Sequence, residues 1–191
     1  MRIIAGSARG RKILSVPKTM PVRPISGRIR QSLFDILRPR LPASRFLDLF
    51  AGTGAVGLEA LSRGAEAVVF VERDPRCVKV IERNLEQVGW TAKGKVFRAN
   101  AVGPLSWVCH RSHVEAFDIV FMGPPYKDEE KRPLALCTPV LSNLAQSGIL
   151  SPEGWVVAQR HAKEVVVVPP GLTLFRQCRY GDTRVDFLRR P

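Results

Sequence analysis

The chain has 191 residues, about 45% of them hydrophobic, and a formal net charge of +13. That size fits one compact domain with a short appendage. No apolar run approaches the ~20 residues of a membrane span, and the opening MRIIAGSARGRK lacks the apolar stretch of a secretory signal. The four cysteines, Cys77, Cys109, Cys137 and Cys178, are scattered and form no CxxC pair. A reducing, cytoplasmic setting and no disulfide framework are therefore expected.

The charge is uneven. Residues 1–40 hold ten basic residues against one acid, Asp35, whereas residues 41–170 hold 15 against 14. A near-neutral body with a basic arm predicts two parts, residues 1–40 for polyanion binding and residues 41–191 as the main domain. In the arm, residues 2–5 and 12–16 are β-prone around a turn at 6–10, which predicts a hairpin. Pro17, Pro21 and Pro24 keep the next stretch extended. Ser26 reads as an N-cap, Ile29, Leu33, Ile36 and Leu37 follow at helical spacing, and Pro39 ends the helix.

From residue 45 strands and helices alternate. A strand at 45–49 leads through a glycine loop into a helix over 58–63, closed by Gly64. A strand at 67–71 ends at Glu72, Asp74-Pro75 starts a helix running to Val88, and Gly89 stops it. Strands follow at 95–98 and 117–122, then a helix at 136–145 and a strand at 155–159. Residues 174–179 and 183–188 flank Tyr180-Gly181-Asp182 as an antiparallel hairpin. Repeated β-α units predict an α/β fold of Rossmann type, a mostly parallel sheet with helices on both faces. Its ligand is expected at the carboxyl ends of the strands.

Gly52-Thr53-Gly54-Ala55-Val56-Gly57 satisfies G-x-G-x-x-G, a pattern compatible with a dinucleotide or with S-adenosylmethionine. Asp48 lies in the strand before it and can accept from a ligand ammonium, which NAD lacks. Glu72 at the next strand tip can accept from ribose hydroxyls. Past the third strand, Asn100 and the Ala101 N–H can meet an adenine edge. Each also has a plainer use: Asp48 organising the loop, Glu72 a solvated strand end, Asn100 a turn. Downstream, Gly123-Pro124-Pro125-Tyr126 ends the fourth strand. The prolines leave a rigid row of carbonyl acceptors beside a ring, suited to a planar group bearing an amine. A rigid loop with a core tyrosine is the alternative. Cys109-His110-Arg111-Ser112-His113 matches no standard zinc spacing, so no metal is expected.

The run from Asp48 to Gly57 followed by Pro124-Pro125-Tyr126 resembles the Rossmann-fold amino-methyltransferases, whose motif is Asp/Asn-Pro-Pro-Tyr/Phe. The arm is more specific. Met1-Arg2-Ile3-Ile4-Ala5-Gly6, Gly10-Arg11-Lys12, Val22-Arg23-Pro24 and Arg28-Ile29-Arg30-Gln31-Ser32-Leu33-Phe34 are similar to the RsmD-type family of 16S ribosomal RNA guanine-N2 methyltransferases. The likeness runs on to Tyr180-Gly181-Asp182-Thr183, over essentially the whole chain.

It implies a class I methyltransferase fold, S-adenosylmethionine as donor, and as acceptor a guanine amine in small-subunit ribosomal RNA within an assembling subunit. It implies cofactor contacts at Asp48, Gly52, Gly54, Glu72 and Asn100, and Phe50, Thr53, Gly57, Arg73 and Ala101 beside them are expected to join the cofactor site. The acceptor amine falls to Gly123, Pro124, Pro125 and Tyr126, and RNA contacts to Arg2, Arg9, Arg11, Lys12, Arg23, Arg28 and Arg30. A monomer without membrane or metal partner is expected. The chain departs from the family at Gly123, where Asp or Asn would supply an oxygen to the amine. That absence keeps a second reading open, a non-catalytic RNA-binding assembly factor. A third is amine methylation of DNA or protein, since the Pro-Pro-Tyr motif is shared.

Overall fold

The computed structural model describes residues 1–17 and 25–191, in two compact units, residues 1–100 and 101–191. The candidate RNA contact Arg23 and the prolines Pro21 and Pro24 lie outside the described residues.

The first unit contains α1 (Gly27–Leu37), β1 (Arg45–Leu49), α2 (Ala55–Ser62), β2 (Ala67–Glu72), α3 (Pro75–Val88) and β3 (Gly94–Arg98). Its strands pair in parallel in the order β3-β2-β1. β1 and β2 are buried nearly throughout, as parallel strands covered on both faces should be. The helix ends follow their capping chemistry. Ser26 accepts from the Ile29 N–H, Asp74 accepts from the Arg76 N–H with Pro75 at the first helical position, and Gly89 turns left-handed at φ 77°.

All eight residues of α2 are buried. β1 and β2 account for part of this, and the N-terminal arm for the rest. Its Ile3, Ala8 and Ile13 are buried, and the two polar residues on the later turns of α2 both hold its backbone. The Glu59 carboxylate accepts from the N–H groups of Ile4 (2.8 Å) and Ala5 (3.0 Å). The Ser62 carbonyl accepts from Ser7 N–H, and its hydroxyl oxygen from Ala8 N–H. These contacts also explain why the expected hairpin is incomplete. A single antiparallel bridge joins Arg2 to Lys12, supported by bonds between Ile3 and Arg11, Gly10 and Ile3, and Ile13 and Met1. Beyond it, Ile4 and Ala5 donate to Glu59 and Leu14 donates to Asn84, so no strand ladder extends. The arm thus belongs to the first unit's packing rather than standing apart from it.

The second unit contains α4 (Trp107–Ser112), β4 (Phe117–Met122), α5 (Cys137–Ser147), β5 (Leu150–His161), β6 (Thr173–Tyr180) and β7 (Thr183–Arg189). Its strand order is β4-β5-β7-β6, with β4 and β5 parallel and β7 antiparallel to both neighbours. The C-terminal hairpin is the one expected. Pro139 is the third residue of α5, within the first turn, where its missing N–H costs no intrahelical bond. β5 begins five residues earlier than Trp155. Its pairing jumps from Phe117–Leu150 to Ile119–Trp155, an irregularity that accommodates Pro152 and Gly154. No helix among the described residues is long and apolar enough to cross a membrane.

Candidate active site

In the first unit, β1 runs into a tight turn in which Phe50, Gly52 and Gly54 take φ of 60°, 56° and 76°. A β-carbon at Gly57 would lie 2.3 Å from the Phe70 ring, so glycine is what lets α2 approach β2. Thr53 is buried, and its carbonyl accepts from the Asn84 side chain.

Two carboxylates organise this turn. Asp48 is buried and its Oδ2 accepts from the Gly57 N–H at 2.9 Å. Glu72 accepts from Gly52 N–H through Oε2 (2.7 Å) and from Asp74 N–H through Oε1 (2.9 Å), joining the loops after β1 and β2. Burial pushes the Asp48 carboxyl up to about 7; the Gly57 N–H acts against this, and the Glu72 charge adds to it. The loop-organising use of Asp48 is thus present in the structure, alongside whatever it does for a ligand. Arg73 and Asn100 are exposed, and Ala101, first residue of the second unit, is buried.

The electrostatics of this loop separate the two cofactors. A pyrophosphate needs the N–H groups at a helix N-terminus and positive potential. Here Asp48 already occupies one α2 N–H, and two acids bear on each other. Such a loop disfavours a pyrophosphate and favours a ligand whose ammonium and sulfonium charges outweigh its single carboxylate. S-adenosylmethionine fits that donor set.

In the second unit, Gly123-Pro124-Pro125-Tyr126 follows β4. Among the described residues none donates a hydrogen bond to the Gly123, Pro124 or Pro125 carbonyls, so all three stay available as acceptors. Tyr126 is held from several sides. Its carbonyl accepts from Leu134 N–H, its hydroxyl accepts from Gln159 Nε2 at 3.0 Å and lies 3.3 Å from Thr183 Oγ1, and its ring meets His161 edge-on at 5.6 Å. The sequence singles out neither Gln159 nor Thr183 as a partner of Tyr126. A polar residue near the end of the buried β5 run Trp155-Val156-Val157-Ala158 was the available signal.

Of the basic candidates, Arg2, Arg9, Arg11, Lys12 and Arg28 are exposed. Arg30 is not. It is 2% exposed, its guanidinium donates to the Arg2 carbonyl, and its Nε lies 3.6 Å from Glu59. Burial lowers its pKa from the ordinary value, and the Glu59 charge opposes that shift. Arg30 therefore braces the arm from beneath, and its expected surface contact with RNA has no surface to act from. Cys77 is fully buried, its thiol pushed up to about 12 by burial, which leaves it unreactive. Among the described residues no group of three or more His, Cys, Asp or Glu side chains could hold a metal ion.

The α/β architecture, the glycine turn with its paired acids and the Pro-Pro-Tyr strand end define a Rossmann-like methyltransferase of the class that uses S-adenosylmethionine. Residues 1–189 match the family Conserved hypothetical protein 95, and the chain belongs to it. The ribosomal RNA small subunit methyltransferase D of Escherichia coli K12 is 32% identical over 191 residues, covering 100% of this chain and 90% of that protein. Its Haemophilus influenzae namesake is 31% identical, covering 95% and 89%. Among solved structures, the Thermus thermophilus protein TTHA0928 superposes with a TM-score of 0.77 at 31% identity, covering 99% of each chain. The Escherichia coli protein yhhF does so with a TM-score of 0.80 at 28% identity, covering 100% and 97%. The RsmD-type resemblance and the fold class read from the sequence are both upheld.

Proposed function

We propose that this protein methylates the exocyclic N2 amine of a guanine in small-subunit ribosomal RNA, using S-adenosylmethionine. The observation that carries the reading is the pair of carboxylates on the glycine turn, in a chain related end to end to proteins named for small-subunit ribosomal RNA methylation. When bound, S-adenosylmethionine supplies an electrophilic methyl group on a cationic sulfur.

Asp48 would accept from the ammonium end, while the Ala55 and Val56 N–H groups at the start of α2 would be left for the carboxylate. Glu72 would use its remaining lone pairs for ribose hydroxyls, and the Asn100 side chain and Ala101 N–H would serve an adenine edge. In the second unit, the Tyr126 ring stacks on an unstacked guanine, and the proline carbonyls accept from its N2 hydrogens. Acceptors on the amine hydrogens would orient a lone pair that is otherwise delocalised into the ring. The chemistry S-adenosylmethionine would supply there is transfer of its methyl to the amine nitrogen, and the methylated amine would then release a proton to solvent. Arg2, Arg9, Arg11, Lys12 and Arg28 contact RNA phosphates.

The test is transfer of labelled methyl to undermethylated 30S subunits, followed by nucleoside mass spectrometry. N2-methylguanosine at one position is expected. Binding to the subunit without any transfer favours the second reading, an assembly factor, which the missing oxygen at Gly123 motivates.

A further inference from the structure

Gln159 carries a feature the reaction as described does not use. Its Nε2 donates to Tyr126, but its Oε1 is buried and accepts no hydrogen bond among the described residues. A buried acceptor left without a donor costs about 1–3 kcal/mol, and such groups in folded proteins call for an explanation. The strand register supplies one. Met122 pairs with Ala158 in the parallel ladder between β4 and β5, so continuing by one residue sets Gly123 beside Gln159. A β-carbon built on Gly123 would point at Phe121, 3.1 Å from its ring. Phe121 pairs with Val157, two residues before Gln159, so an added side chain at 123 and the Gln159 side chain share one face. An oxygen is thus missing at position 123, and an unused one stands on the adjoining strand.

We infer that Gln159 is a catalytic residue: its carboxamide oxygen accepts from the guanine N2 amine in place of the side chain absent at Gly123. This rests on the methyltransferase reading above. In the free protein the oxygen is closed off from solvent, and entry of the base beside Tyr126 would bring its amine to that oxygen. Water is then excluded, which strengthens the bond to the amine as positive charge develops there. The amide does not take the proton; it orients the nitrogen and leaves proton release to solvent. Its Nε2 meanwhile keeps the Tyr126 hydroxyl fixed, so one side chain serves both the ring and the amine.

The test is a cycle of variants assayed for methyl transfer to undermethylated 30S subunits, with S-adenosylmethionine affinity measured alongside to verify the fold. Gln159→Leu is expected to lower kcat by ~10²–10³-fold, the loss typical of one preorganised acceptor or donor, with cofactor affinity unchanged. Gln159→Glu, which keeps an acceptor oxygen, is expected to retain most of the rate. Gly123→Asp or Gly123→Asn is expected to restore at least roughly tenfold of the rate lost in Gln159→Leu, because either returns the oxygen. A role confined to anchoring Tyr126 predicts no such rescue. Gln159→Leu at wild-type kcat, or failure of both position-123 substitutions to restore a folded double variant, overturns the inference. Wild-type protein that forms no N2-methylguanosine overturns the underlying reading, and the inference with it.

Discussion

At the scale of single residues, Asp48 links the glycine turn to pH. Its carboxyl is pushed up to about 7 by burial, with the Glu72 charge adding to the shift. A folded-state value raised above the ordinary one means that the free protein holds the proton where an unfolded chain would release it. Asp48 therefore contributes a loss of stability as pH rises from its ordinary value of 3.8 towards about 7, levelling off above that, in the free protein. A ligand ammonium reverses the preference, since it favours the carboxylate. With Asp48 in the proposed role, binding of S-adenosylmethionine would be coupled to loss of that proton. Calorimetric titration between pH 5.5 and 8.5 is expected to show affinity rising by up to about tenfold per pH unit below 7 and levelling above it. Asp48→Asn should flatten the profile, and an unchanged slope in that variant would assign the titration elsewhere. Asp48 was visible in the sequence as an acid inside an apolar strand. Its bond to Gly57 was not, because that depends on how closely α2 approaches β1 and β2, which the Gly57–Phe70 contact sets.

At the scale of elements, α2 shows how the arm is held. Glu59 is completely buried and gathers two arm N–H groups, Arg63 at 2.8 Å and Arg30 at 3.6 Å. Glu59→Ala would leave Arg30 buried without its carboxylate and both N–H groups without an acceptor. A loss of about 3–5 kcal/mol is expected, read as a lower urea midpoint. A larger m-value would accompany it only if the arm also changes the denatured state. Glu59→Gln keeps the acceptor oxygen and should lose less. Elements with local signals were legible: α3 between Asp74-Pro75 and Gly89, and β1 and β4 as apolar runs, match their expected bounds. The arm hairpin was legible only in part, because its backbone donors are satisfied by α2 and α3, far along the chain. The start of β5 was hidden by Pro152 and Gly154, which read as loop and are absorbed by a pairing irregularity. The short helix α4 carries no cap bond from its Ser106, so nothing local marked its start.

At the scale of the whole molecule, charge divides the labour. The arm's excess of nine positive charges over residues 1–40 stands against near balance in residues 41–170, yet packing makes that arm part of the first unit. Basic side chains on a docked segment form a fixed surface, which loses less conformational freedom on meeting RNA than a free tail would. The structure also sorts these charges: Arg30 is spent internally on Glu59, while Arg2, Arg9, Arg11 and Lys12 stay exposed around one turn. Each of the four that meets a phosphate releases counterions, so affinity for single-stranded ribosomal RNA should fall with salt by a slope of ~0.7 per contact. Replacing all four by Gln is expected to shrink the log–log salt slope by up to roughly three while leaving S-adenosylmethionine affinity at its wild-type value. Fluorescence anisotropy across a salt series measures the first quantity and calorimetry the second. A variant with an unaltered slope would move the RNA surface away from the arm. A variant that also lost cofactor affinity would mean that these side chains hold the first unit together rather than the RNA.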